Sequence, residues 1–149
     1  MYLLSKLLHL AGAIFWLGGM GFVLLALRPA LAQQLEAPAQ RLGLLTAVLS
    51  RFFAVVWISI GVLLLTGGYM LRQAGMPTVP AGWHLMTGLG TLMALIFGHL
   101  YFAPFRRLRQ AVANADWPQA ARQAQQIALL VRINFGLGWL AVAALVLVH

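Results

Sequence analysis

Residues 7–27 read LLHLAGAIFWLGGMGFVLLAL, an apolar run with one histidine and no formal charge. A helix needs about 20 consecutive apolar residues to cross the hydrocarbon core of a bilayer, so this stretch is long enough to span one. The stretches 52–71, 73–105 and 133–149 are equally free of Asp, Glu, Lys and Arg. The whole chain has 149 residues, 62% hydrophobic and 8% charged, against about 45–50% and about 25% in soluble domains. The sequence therefore predicts an all-α integral membrane four-helix bundle, one transmembrane domain over 1–149. It excludes a water-soluble fold. With no cysteine and only Glu36 and Asp116 as acids, it also lacks the material for a disulfide scaffold or for carboxylate-pair hydrolysis.

The net charge of +8 does not point to nucleic acid, because the basic residues sit between spans rather than on a separate soluble face. Arg28, Arg41 and Arg51 fall in the gap 28–51, and Arg106, Arg107, Arg109, Arg122 and Arg132 in the gap 104–132, leaving Lys6 and Arg72 for the other side. Short cytoplasmic segments collect Lys and Arg. The expected topology is multi-pass in a bacterial inner (plasma) membrane, with both gaps cytoplasmic and both termini periplasmic. Ala30-Leu31-Ala32 has the look of a signal cleavage site, but the apolar run before it exceeds the about 7–15 residues of a signal core. We read 1–27 as a true span.

The expected spans are 2–27, 52–71, 83–103 and 127–148, with Pro29 and Pro104 stopping the first and third helices. Cytoplasmic helical segments are expected at 38–51 and 105–126, and Asp116-Trp117-Pro118 reads as a helix start. The interval from His9 to Pro29 equals the interval from His84 to Pro104. Each hairpin then has a basic segment, an Arg (Arg51, Arg132) and a following Trp (Trp57, Trp139). The chain thus reads as two repeated helical hairpins inserted with the same orientation.

The four histidines are the side chains with metal or proton chemistry. The repeat sets His9 and His84 at equal depth near the outer face. Gly12 and Gly88 lie one turn inward, and Trp16 and Thr91 lie two turns beyond each histidine. Two facing imidazoles above small residues would leave a slot for a flat macrocycle, since paired histidines are a standard axial set for haem. Gly and Thr are also ordinary at helix contacts, and an intramembrane histidine can simply hydrogen-bond a neighbour, although ionisable groups inside spans are usually functional. His99, further along the same helix as His84, points within about 60° of it and lies deeper. Packing, a hydrogen bond to Asn134, and single ligation all stay open for His99. Met70, Met76 and Met86 share the outer side, while Met20 and Met93 sit mid-span; thioethers with imidazoles suit Cu(I), and Met is also a common core filler. On this reading the metal ligands are His9 and His84, with His99, Met70 and Met86 as weaker candidates. His149 ends the chain on the outer side. The Arg106–Arg107–Arg109 cluster suits either topology anchoring or anionic headgroups.

KLLHLAGAIFWLGGMGFVLLALRPAL, RFFAVVWISIGVLLLTGGYML, and HLYFAPFRRLRQAV followed by ADWPQAARQAQQIALLVRINFGLG resemble the copper resistance protein D (CopD) membrane family over nearly the whole chain. The resemblance implies an inner-membrane protein linked to copper uptake or tolerance. Longer members have additional spans. The first helix is also similar to the HemJ-type protoporphyrinogen oxidases, which bind haem b and have a histidine after a basic residue, here His9 after Lys6. That family also uses a lysine on its third helix, where this chain has His84. Two classes follow. One is a non-enzymatic copper-handling membrane protein using His9, His84 and nearby methionines. The other is a haem b oxidoreductase exchanging electrons with quinone. The lipid bilayer is the common partner; a periplasmic copper protein goes with the first class, and a homo-oligomer is compatible with either.

Overall fold

A computed structural model describes residues 1–75 and 79–148. Four helices are long and apolar enough to cross a membrane: α1, Tyr2–Gln34; α2, Pro38–Ala74; α3, Ala81–Ala113; and α4, Trp117–Leu147. No strand occurs among the described residues. At 1.5 Å per residue the 37 residues of α2 reach about 55 Å, well beyond the about 30 Å hydrocarbon core. The excess explains the sequence pattern: the Arg-bearing segments are helical continuations of the spans rather than separate loops.

α1 and α3 do not end at their prolines. α1 runs on through Pro29 to Gln34, with the turn Val23–Leu27 widened to π geometry. α3 widens likewise over Tyr101–Phe105, with Pro104 inside the wide turn, and continues to Ala113. Proline stops an α-helix because it has no N–H and its ring meets the carbonyl four residues back. A π turn shifts that carbonyl, and after the first one the Arg28 N–H bonds Val23 five residues back. The expected stops at Pro29 and Pro104 are therefore corrected to wide turns within continuous helices. The fourth helix starts as its sequence indicates: the Asp116 carboxylate accepts from the Gln119 N–H at 3.2 Å, with Pro118 in the first turn. Just before it, Ala115 closes α3 in the left-handed region at φ 53°. Its N–H bonds the Val112 carbonyl and the Asp116 N–H bonds the Ala111 carbonyl, a helix ending that usually carries glycine at the left-handed position.

α1 packs mainly on α2, and α3 on α4. The two hairpins meet in the middle through Trp16, Met20, Phe53, Met93, Phe97, Leu100, Phe105, Ile127 and Val131. Phe53 sits edge-on to Phe97 at 5.3 Å and to Phe105 at 4.8 Å, and Trp16 edge-on to Phe97 at 6.3 Å. Lipid is as apolar as leucine, so such close packing rather than water exclusion holds spans together. Small residues permit it. A Cβ on Gly12 would stand 3.3 Å from Leu63 Cγ and 3.4 Å from the Ser59 carbonyl of α2. One on Gly138 of α4 would stand 2.6 Å from Leu17 Cδ1. Asn134 Nδ2 donates to the Met93 carbonyl at 3.0 Å, a buried polar contact between α4 and α3. At the loop end, Arg28 Nη1 donates to the Ala124 carbonyl at 3.2 Å, tying α1 to α4.

Candidate functional site

Gly12 brings α1 against α2, and one turn before it His9 reaches the same neighbour. His9 Nδ1 lies 2.9 Å from Thr66 Oγ1, and Thr66 is buried. The Thr66 hydroxyl has one hydrogen, and it is already given to the Val62 carbonyl at 2.6 Å. With that hydrogen on Val62, Thr66 accepts from His9; in this arrangement the neutral ring carries its proton on Nδ1 and keeps a lone pair on Nε2. Gly67 makes room for the ring: a Cβ there would stand 3.3 Å from His9 Cε1. Met70, one turn beyond Thr66 on the same face of α2, is buried too. A hydroxyl acceptor behind one imidazole nitrogen is the arrangement that orients the other nitrogen toward a metal or a proton.

The remaining candidates lie elsewhere. His84 is exposed on α3, as are Gly88 and Thr91, and a Cβ on Gly88 would meet nothing within 4 Å. The Thr91 hydroxyl returns to the Thr87 carbonyl of its own helix at 2.8 Å. Trp16 is buried against Phe97. His9 reaches Thr66 of α2 while His84 is exposed on α3, and Gly12 faces α2. Repeat arithmetic explains the difference. The offset that maps His9 onto His84 maps Thr66 onto Ala141, which has no hydroxyl to accept a hydrogen bond. The second hairpin makes its close approach at Gly82, where a Cβ would crowd the Ala144 and Val148 carbonyls. Gly82 lies about 200° around the helix from His84, so His84 points away from α4.

His99 is exposed and makes no hydrogen bond with Asn134, whose amide nitrogen is given to Met93. Met86 is half-buried, while Met20 and Met93 are core residues. Met76 and His149 lie outside the described residues. Among the described residues, no group of three or more His, Asp or Glu is placed to hold a metal ion. Sequence reasoning missed Thr66. Its signal was faint: one hydroxyl followed by two glycines in the otherwise aliphatic run VLLLTGGYM.

Residues 46–148, more than half of the chain, match the sequence family described as Copper resistance protein D. The chain belongs to the CopD family. With its four apolar helices, CopD membership makes it a multi-pass membrane protein related to copper resistance. No curated protein and no solved structure matches the chain. The CopD match begins within α2 and so includes Thr66 and Met70 but not His9.

Proposed function

We propose that this CopD protein handles copper as cargo, without catalysing a reaction, and that His9 offers its Nε2 lone pair as the imidazole ligand. The observation that carries this is the 2.9 Å contact between His9 Nδ1 and Thr66 Oγ1, made by a hydroxyl that also lies 2.6 Å from the Val62 carbonyl; with its hydrogen on Val62, Thr66 accepts from His9. That pairing selects the tautomer a metal needs. The thioether of Met70, one turn along α2, is the soft donor nearest in the chain to Thr66, and the combination suits Cu(I).

On the charge distribution, the end carrying His9 faces the periplasm of an inner membrane, with both termini on that side. A periplasmic copper protein is then the natural source or recipient of the ion. The haem b reading, with His9, His84, Gly12, Gly88, Trp16 and Thr91 around a macrocycle, needs two imidazoles facing each other across α1 and α3. His9 is engaged with Thr66 of α2 and His84 is exposed on α3, and the CopD match supports copper, so copper is the reading we adopt.

The test is Cu(I) titration of the detergent-purified protein against a competing chelator. His9→Ala should lose the copper that the parent binds, and His99→Gln should keep it. Copper retained by His9→Ala overturns the assignment. So does a Soret band in the purified parent that splits on dithionite reduction, which marks haem.

A further inference from the structure

Arg28 is fixed across the bundle. It is half-buried, and its Nη1 donates to the Ala124 carbonyl of α4 at 3.2 Å. Two further contacts give the register of α1 on the antiparallel α4: Gly138 meets Leu17, and Gly21 meets Phe135. That register sets Arg132 opposite residues 23–24, about 7 Å along the axis from Arg28 and toward the middle of the membrane. The two cations are close enough to repel, and among the described residues no carboxylate relieves Arg28, since the charged group acting on it is Arg132. The acids lie elsewhere. Asp116 caps the start of α4, about 24 Å along the helix before Arg132, and Glu36 lies past the end of α1. Like charges repel strongly where the dielectric is low, and ionisable groups set within spans normally have a partner. Topology asks only for positive charge beyond the hydrocarbon. It does not ask for a second arginine placed further in, beside the first.

The pair opens to lipid. On both helices the buried residues lie to one side of the α1–α4 seam, Met20 and Val23 on α1, Ile127 and Asn134 on α4. Arg132 falls on the other side and is exposed. Along that outer side, toward the His9 end, α1 presents Leu25, Phe22 and Gly18, all exposed. The register puts Gly18 at the depth of Gly136 on α4, also exposed, and a Cβ on either glycine would meet nothing within 4 Å. The seam thus continues from two cations into an apolar trough. We propose that Arg28 and Arg132 hold the phosphate of an anionic phospholipid, with an acyl chain lying along the trough past Gly18 and Gly136. Guanidinium groups bind phosphate oxygens through paired N–H donors, and Arg28 has donors to spare beyond the one given to Ala124. Basic pockets between spans on the cytoplasmic side suit such headgroups. A choline headgroup would bring a third positive charge to two that already repel, so a headgroup whose only charge is its phosphate is preferred. The apolar trough favours a lipid over inorganic phosphate. The site does not depend on the role proposed for His9.

The test is native mass spectrometry of the full chain, delipidated in detergent and titrated with phosphatidylglycerol, phosphatidylcholine or inorganic phosphate. The parent should hold phosphatidylglycerol about tenfold or more tighter than phosphatidylcholine, and inorganic phosphate should not displace it. Arg28→Gln and Arg132→Gln should each weaken phosphatidylglycerol about fivefold or more. Arg122→Gln, exposed on α4 away from the seam, should not. Gly136→Leu has open space within the chain, so the fold is kept, yet it fills the trough and should weaken the lipid with both arginines in place. Without lipid, Arg132→Gln relieves a repulsion and should unfold no earlier than the parent, which separates a lost site from a lost fold. Unchanged lipid binding in Arg132→Gln, or an equal loss in Arg122→Gln, would overturn the proposal. So would phosphatidylcholine held as tightly, or displacement of the lipid by inorganic phosphate.

Discussion

Replacing Thr66 by valine keeps the shape of the side chain and removes the hydroxyl behind His9, leaving the Leu63 carbonyl as its backbone partner. In the parent, His9 Nδ1 donates across 2.9 Å to Thr66 Oγ1. In Thr66→Val that N–H faces a methyl group. Interhelical hydrogen bonds of this kind are worth about 0.6 kcal/mol on average in a membrane protein, and at most about 1.7, so Thr66→Val should still fold. The larger effect falls on the ligand. With only the Leu63 carbonyl left as a partner, the preference between the two neutral tautomers weakens and the ring is held less firmly. Loss of such an orienting partner typically costs about 10–100-fold in metal affinity. Competition titration should show that weakening in Thr66→Val, with Thr66→Ser restored to near the parent because its hydroxyl can again accept. Nitrogen NMR of the imidazole supplies a readout that mere destabilisation would not move: a protonated Nδ1 and bare Nε2 in the parent, and averaged nitrogens in Thr66→Val. If Thr66→Val keeps the parent affinity and tautomer while His9→Ala loses copper, Thr66 is not the positioning residue and its bond to Val62 does not set the tautomer.

Gly12→Val forces α1 away from Leu63 and the Ser59 carbonyl; it should lower stability by about 1–3 kcal/mol and weaken copper binding, read by unfolding in mixed detergents and by titration. Ala115→Gly relieves a left-handed alanine at φ 53°; about 1–2 kcal/mol of strain against a smaller entropic cost predicts slightly higher stability, and a lower unfolding midpoint would contradict it. Reporter fusions after Ala39 and after Ala115 should both report cytoplasm, and fusions within 73–82 periplasm; the reverse pattern would invert the side assigned to His9.

The span count was legible because four long charge-free runs admit few other structures, and the Asp116 cap was legible because it is local chemistry. The prolines misled because whether a helix ends at Pro29 or Pro104 depends on a π turn, which no residue type announces. The orientations of His9 and His84 were not legible for a related reason. Equal distance from a proline fixes depth along a helix, whereas orientation depends on where the small residues sit around it. In the first hairpin Gly12 is on the histidine's side; in the second Gly82 is on the opposite side. Thr66 was hidden because its function belongs to another helix, and only packing joins it to His9.

Asn134 shows how magnitudes decide the sign of a substitution that the sequence would call disruptive. It is 1% exposed, and its amide nitrogen bonds the Met93 carbonyl while its Oδ1 has no partner among the described residues. Asn134→Leu gives up one interhelical hydrogen bond, about 0.6 kcal/mol and at most about 1.7. It also removes an unsatisfied buried acceptor, a burden of about 1–3 kcal/mol, and leucine occupies nearly the same shape. The Met93 carbonyl keeps its place in the helix of α3. The two terms nearly cancel, so unfolding in mixed detergents should show Asn134→Leu as stable as the parent or slightly more so. Asn134→Asp, equally small, buries a carboxyl group with no cation beside it and should be severely destabilised at neutral pH. If Asn134→Leu loses more than about 2 kcal/mol, beyond the largest hydrogen bond of this kind measured in a membrane, then Oδ1 is not idle and the amide holds something that the packing alone does not account for.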